Sequence, residues 1–171
     1  CPITSESGTP TSVSLTTSKC EFATNNLKII NNQPKNGIVK EYGVCVKQLN
    51  YLNRAFVIKF IEWVHLLRIL GAEKIHSYTR FVHSDLIKII EYFEKNNFVE
   101  IKPFLEPSTL PNNNTNTFTT FVLEIAMIND CFYRTKNLYK FVVICDADEV
   151  IMPLVDSHYS WHDLMETIGK D

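Results

Sequence analysis

No apolar run in the 171 residues is long enough to span a bilayer, and no signal-peptide pattern stands at the start. The five cysteines, Cys1, Cys20, Cys45, Cys131 and Cys145, include no C-x-x-C spacing, which excludes the common structural zinc patterns. Basic residues are not in excess: 17 Lys and Arg stand against 19 Asp and Glu, for a formal net charge of -2. They are not gathered into one run either, so the chain has no electrostatic footprint for a polynucleotide, and nucleic acid is excluded as a partner. What remains is the composition of an ordinary globular domain, 45% hydrophobic and 21% charged. A chain that begins at Cys1 without a methionine is expected to be a piece of a longer protein, so the missing span says nothing of where the parent resides.

The pattern along the chain predicts alternating strands and helices. Residues 1–37 read as a Ser/Thr/Asn-rich N-terminal extension, with Val13-Ser14-Leu15 as a short edge strand and turn-forming residues from Asn25 to Gly37. The packed domain, 38–171, begins with a buried strand over Tyr42–Val46. Asn50 or Asn53 then caps a long helix through Leu70, with Gly71 as its C′ residue. In that helix Lys59, Glu62, His65 and Arg68 form a narrow polar stripe, which implies cover on most sides. A second strand follows at Lys74–Val82. Ser84 is the expected cap of a helix whose apolar face is Leu86, Ile89, Ile90 and Phe93, and Asn96-Asn97 closes it. A third strand spans Phe98–Phe104, and Leu105–Thr117 is a loop with a glycosylation sequon at Asn113. Phe118–Tyr133 reads as a helix with Phe121, Leu123, Ile125, Ile128 and Phe132 apolar, and Ser160 caps a last short helix containing Trp161, Leu164 and Met165.

The chemistry concentrates in Lys140–Pro153. Phe141–Cys145 is a continuous apolar run, the signature of a strand buried on both faces, and it leads directly into Asp146, Asp148 and Glu149. Carboxylates at the carboxyl end of such a strand lie where open α/β sheets place their ligands. If the chain bends there, Asp146 and Asp148 aim at one small volume, which suits a hard divalent cation with a phosphate behind it. Two chemistries compete. One is nucleotide-sugar transfer, with the metal neutralising a diphosphate leaving group. The other is a haloacid-dehalogenase-type phosphatase, with Asp146 as nucleophile and Asp148 as acid/base. The acidic triplet comes late, after three strand-helix units, whereas the phosphatase motif belongs to a first strand; its position favours sugar transfer.

Taken together, Tyr42-Gly43-Val44-Cys45-Val46-Lys47, Glu62-Trp63, Leu70-Gly71-Ala72-Glu73-Lys74, Asn129-Asp130-Cys131-Phe132-Tyr133-Arg134 and Asp146-Ala147-Asp148-Glu149-Val150-Ile151-Met152-Pro153 resemble glycosyltransferase family 92. The resemblance implies an α/β fold, the mostly parallel, Rossmann-like sheet of a GT-A nucleotide-binding half, cut short at the C-terminus. It implies an inverting mechanism, a UDP-sugar donor that is usually UDP-galactose, Mn²⁺ or Mg²⁺, a glycan acceptor, and a parent anchored in the Golgi membrane with this domain in the lumen. By the same resemblance Asp148 and Asp146 are the metal residues, with Asp146 also reaching the ribose or metal-bound water. Lys47 lies near the uridine, and Asn129, Asp130 and Arg134 lie on the element that holds the donor sugar. The general base and the acceptor-binding half are expected beyond Asp171. Gln48 departs from the pattern, standing where a glycine is common. A fragment that folds but transfers nothing, and the phosphatase, are the alternatives. His158 and His162 have metal-ligand spacing, but Ser160 separates them from a shared helix. Cys45 and Cys145 read equally as buried thiols or as disulfide members, and a Cys45–Cys131 bridge is one pairing to test.

Overall fold

The computed structural model describes residues 10–19, 21–103, 117–154 and 159–169. Residues 105–116 of the expected loop, with its Asn113 sequon, and His158 lie outside the described residues, while Thr117 begins a helix. The chain divides into two compact units, Cys1–Gln33 and Pro34–Asp171. In the first, β1 (Ser12–Val13) pairs antiparallel with β2 (Leu27–Lys28), and the Leu15 amide donates to Asn25 Oδ1 at 2.8 Å. The asparagine side chain thus takes the place of a ladder partner.

The second unit has a five-stranded sheet. Its strands are β3 (Lys40–Cys45), β4 (Leu49–Tyr51), β5 (Lys74–Val82), β6 (Val99–Pro103) and β7 (Tyr139–Ile144), and every pairing is parallel. Ile75 of β5 pairs with Val44 on one side and Val99 on the other, while Thr79 pairs with Leu49 and Pro103. Hence β3 and β4 share one edge of β5, and the order across the sheet is β6, β5, β3/β4, β7. This is the mixed α/β architecture with a mostly parallel sheet that the alternating pattern predicts. β4 is an addition. Its three residues, Leu-Asn-Tyr, are too short to show a period, and they are held by β5 rather than by their own propensity.

Period-two alternation assigns the faces. Tyr42, Val44 and Val46 enter the larger core with Phe60, Trp63, Val64 and Leu67 of α1 (Phe56–Leu70), Leu86, Ile90 and Phe93 of α2 (Ser84–Lys95), and Trp161 of α4 (Trp161–Ile168). On the opposite face Cys45, Tyr78 and Val142 pack against Leu123, Met127 and Cys131 of α3 (Thr117–Thr135).

Several expectations are corrected by packing. Helix α1 is covered on one face only, and Ile58 and Ile69 flank the polar stripe at 66% and 72% exposure. In α3 the stripe that meets the sheet is Leu123, Met127 and Cys131, at i, i+4 and i+8, while Phe121, Ile125 and Phe132 are exposed. The abundance of apolar residues around α3 hid which face would be chosen. β7 is not buried on both faces: among the described residues it pairs with β3 alone, and Phe141 and Ile144 keep 37% and 48% of their surface exposed. The α2 cap is His83, whose Nδ1 accepts from the Asp85 amide at 3.2 Å, with Ser84 already helical. The Ser160 cap is as expected and forms a full capping box with Asp163. Gly71 takes the left-handed conformation, φ 112°, that a helix C-cap needs.

Candidate functional site

The carboxyl ends of β3 and β7 lie side by side, with Cys45 paired to Ile144 and the Cys145 amide donating to the Cys45 carbonyl at 3.3 Å. Each strand then releases a charged residue. Lys47 follows β3 and Asp146 follows β7, and the Lys47 Nζ sits 2.9 Å from Asp146 Oδ2. The same ammonium is 3.4 Å from Glu124 Oε2 on α3. The hydrogen bond to Asp146 and the two negative charges raise the Lys47 pKa against the opposing effect of burial, so the lysine is held as a cation.

Asp146–Glu149 is a turn, closed by the Glu149 amide donating to the Asp146 carbonyl at 3.1 Å. The Glu149 carboxylate turns back to accept from the Asp146 amide at 3.0 Å. Ala147 is buried at 2% exposure and fixes the turn in the core, while Asp148 at its tip is exposed. Two tryptophans complete the support. The Trp63 indole N–H donates to the Glu149 carbonyl at 2.8 Å, and that of Trp161 donates to the Ile151 carbonyl at 2.8 Å. A buried indole must place its one donor, and here both donors go to the backbone of the acidic segment. Trp63 and Trp161 are core residues, and they also fix the turn.

Tyr51 borders the site from β4. Its ring stacks on Phe56 with centroids 3.4 Å apart. Burial, then the charges of Asp148 and Asp146, raise its pKa, so the phenol stays neutral. Neither Tyr51 nor Glu124 was legible as a neighbour of the site. Tyr51 lies on the unexpected β4, and Glu124 is one of several polar residues on α3.

The structure therefore brings together Lys47 and Asp146 and puts Asp148 on the same turn. It leaves the other expected residues apart from that ion pair. Asp130 and Arg134 pair with one another one helical turn apart on α3, Arg134 Nε lying 2.7 Å from Asp130 Oδ2, and the Tyr78 hydroxyl donates to the same carboxylate. Asn129 bonds back to the Ile125 carbonyl at 2.9 Å, the local competition expected of a mid-helix asparagine. His162 faces Glu166 and Glu41, at 3.3 and 3.7 Å, on the surface of α4. Cys45 and Cys131 form a disulfide with Cα atoms 5.9 Å apart, which ties α3 to the end of β3 two residues before Lys47. Cys145 is a free buried thiol.

Carboxylate oxygens suit Mg²⁺ or Mn²⁺, and Asp146 and Asp148 on one turn would hold a cation only if it kept water and substrate oxygens in most of its shell. They do not make an all-protein cage: among the described residues no group of three or more His, Cys, Asp or Glu is gathered for a metal.

Residues 40–171 match glycosyltransferase family 92. The chain belongs to this family. Two curated relatives, both from Caenorhabditis elegans, are similar to it. One, named as a glycosyltransferase family 92 protein, is 29% identical over 101 residues, 57% of this chain and 20% of that protein. The other, named beta-1,4-galactosyltransferase galt-1, is 26% identical over 128 residues, 74% of this chain and 28% of that protein. The chain thus spans a fifth to just over a quarter of the relatives it matches. No solved structure matches it. The matched region contains β3–β7, α1–α4 and the whole Lys47–Asp146–Asp148 arrangement, and membership in this family favours sugar transfer over the phosphatase.

Proposed function

We propose that this chain supplies the donor-binding part of a metal-dependent glycosyltransferase that moves a hexose, galactose from UDP-galactose, to a glycan acceptor. The observation that carries the reading is the Lys47–Asp146 pair, 2.9 Å apart at the carboxyl ends of two parallel strands, with Asp148 exposed on the turn beside it. Asp146 and Asp148 would hold Mn²⁺ or Mg²⁺, which when bound neutralises the diphosphate leaving group. Lys47 contributes a permanent positive charge to the nucleotide side of the site, and the Trp63-anchored turn holds the carboxylates ready for a ligand. Asp130 and Arg134, engaged with each other and Tyr78, act on this reading as internal supports of α3, and Asn129 as part of its surface. Galactose as the sugar rests on the printed name of one relative. The inverting course rests on the family resemblance.

The Cys45–Cys131 disulfide supports a luminal address, because such bonds persist in oxidising compartments. Among the described residues no helix is long and apolar enough to cross a membrane, so residence at the Golgi membrane would depend on an anchor elsewhere in the parent.

Calorimetry of UDP-galactose with Mn²⁺ tests the reading. Asp148→Ala is expected to lose most of the Mn²⁺-dependent binding, and equal binding by both proteins overturns the assignment.

A further inference from the structure

We infer that Glu124 is a positioning residue for Lys47, receiving the lysine when Asp146 takes up a cation, so that metal and nucleotide enter the site as a pair. The inference rests on the metal-nucleotide reading above and deepens it. Lys47 Nζ stands between two carboxylates, 2.9 Å from Asp146 Oδ2 and 3.4 Å from Glu124 Oε2. Its stem is fixed by the end of β3, Asp146 by the turn after β7, and Glu124 by α3, whose Cys131 is bonded to Cys45 two residues before the lysine. The three charges therefore come from three elements, with β3 and α3 held together by the disulfide, and the lysine has the length and rotamer freedom to move between its two partners.

An ammonium at hydrogen-bond distance from Asp146 neutralises that carboxylate and repels a divalent cation approaching the same oxygens. Metal alone is thus opposed by Lys47. Metal arriving with a diphosphate brings acceptor oxygens for the displaced ammonium, and Glu124 keeps it in place beside them. Without Glu124 the lysine would have Asp146 as its remaining anionic partner and would hold that carboxylate more firmly against the metal. Glu124 is then required for metal uptake without being a metal ligand.

The test is a double-mutant cycle read through the electron paramagnetic resonance signal of free Mn²⁺, with and without UDP, on the 171-residue chain. Without UDP, Lys47→Met is expected to bind Mn²⁺ about tenfold more tightly than wild type, on the scale of one charge-assisted hydrogen bond. Glu124→Gln should bind it several-fold more weakly, and the double variant should match Lys47→Met. With UDP the effect of Lys47→Met should reverse and weaken Mn²⁺ uptake. A Lys47→Met protein that does not tighten overturns the inference, as does a Glu124→Gln loss that persists when Lys47 is Met, since Glu124 would then act on the metal directly. If wild type and Asp148→Ala bind Mn²⁺ equally in the presence of UDP, the metal site itself fails and the inference with it. Should thermal melts show either variant unfolded, Lys47→Gln and Glu124→Ala carry the same cycle.

Discussion

Gly43 shows how much one residue in a strand can decide. A Cβ built there would meet the Tyr139 ring at 2.5–2.7 Å, so the tyrosine lies flush on the backbone of β3, and its hydroxyl reaches His76 Nε2 at 2.9 Å. Gly43→Ala is expected to cost about 1–3 kcal/mol, the range of overpacked cores; chemical denaturation measures it, and an unchanged midpoint would mean the ring moves freely. Cys145 is a second case. Burial first, and then Glu149 and Asp146, push its thiol up to about 12. Iodoacetamide near neutral pH should leave the Cys145 peptide unlabelled in the folded protein and alkylate it once denatured, which peptide mapping by mass spectrometry reads directly. Gln48, where the family pattern suggested a glycine, is 7% exposed and its Oε1 has no hydrogen-bond partner. Its neighbour Lys47 was singled out by the family resemblance, and the structure places it against Asp146. The unsatisfied amide was not legible in the sequence, since burial of a loop side chain is a tertiary fact.

At the scale of elements, the strands carry the candidate site at one end and a separate charge cluster at the other. On β6, the Glu100 carboxylate lies 3.5 Å from His76 Nδ1, 3.2 Å from Lys102 Nζ and 3.5 Å from Lys74 Nζ. The hydrogen bond from His76, with its charge and that of Lys102, holds the carboxyl well below the usual carboxylate range despite partial burial. A depressed folded value means this contribution is complete above the unfolded value of about 4.3 and is lost as pH falls through it toward the folded value. Between about pH 5 and pH 3 the wild type should therefore lose more thermal stability than Glu100→Gln, and parallel melts in that window would remove Glu100 from the account. The helices teach a related lesson. Ser160 and Gly71 worked as sequence signals because capping is chemistry within one turn. Selection of the Leu123, Met127 and Cys131 stripe of α3 over Phe121 and Phe132 was made by the sheet it covers.

For the whole Pro34–Asp171 unit, the disulfide is the longest covalent closure described, joining residues 86 apart. Among the described residues it links the one helix on its face of the sheet to the strand that precedes Lys47. Cys131→Ser is expected to lower stability by about 2–4 kcal/mol through the released chain entropy. Urea denaturation with and without reductant checks this, and a variant as stable as the oxidised wild type would refute it. Tyr42, Val44 and Val46 of β3, Ile75 of β5 and the buried face of α1 share the larger core, so much of the fold is carried by burial patterns written along the chain.

The sequence by itself determined the alternation of strands and helices, the place of the acidic turn at a strand end, and the family, because each rests on residues close together or in fixed order. Only the tertiary structure decided that Lys47 meets Asp146, that Glu124 joins them from α3, and that Trp63 and Trp161 hold the acidic segment. It also decided that Cys45 bonds Cys131 while Cys145 stays free. Those contacts connect residues far apart in the chain, and side-chain reach, sheet order and the choice of a buried helix face become definite only when the elements pack.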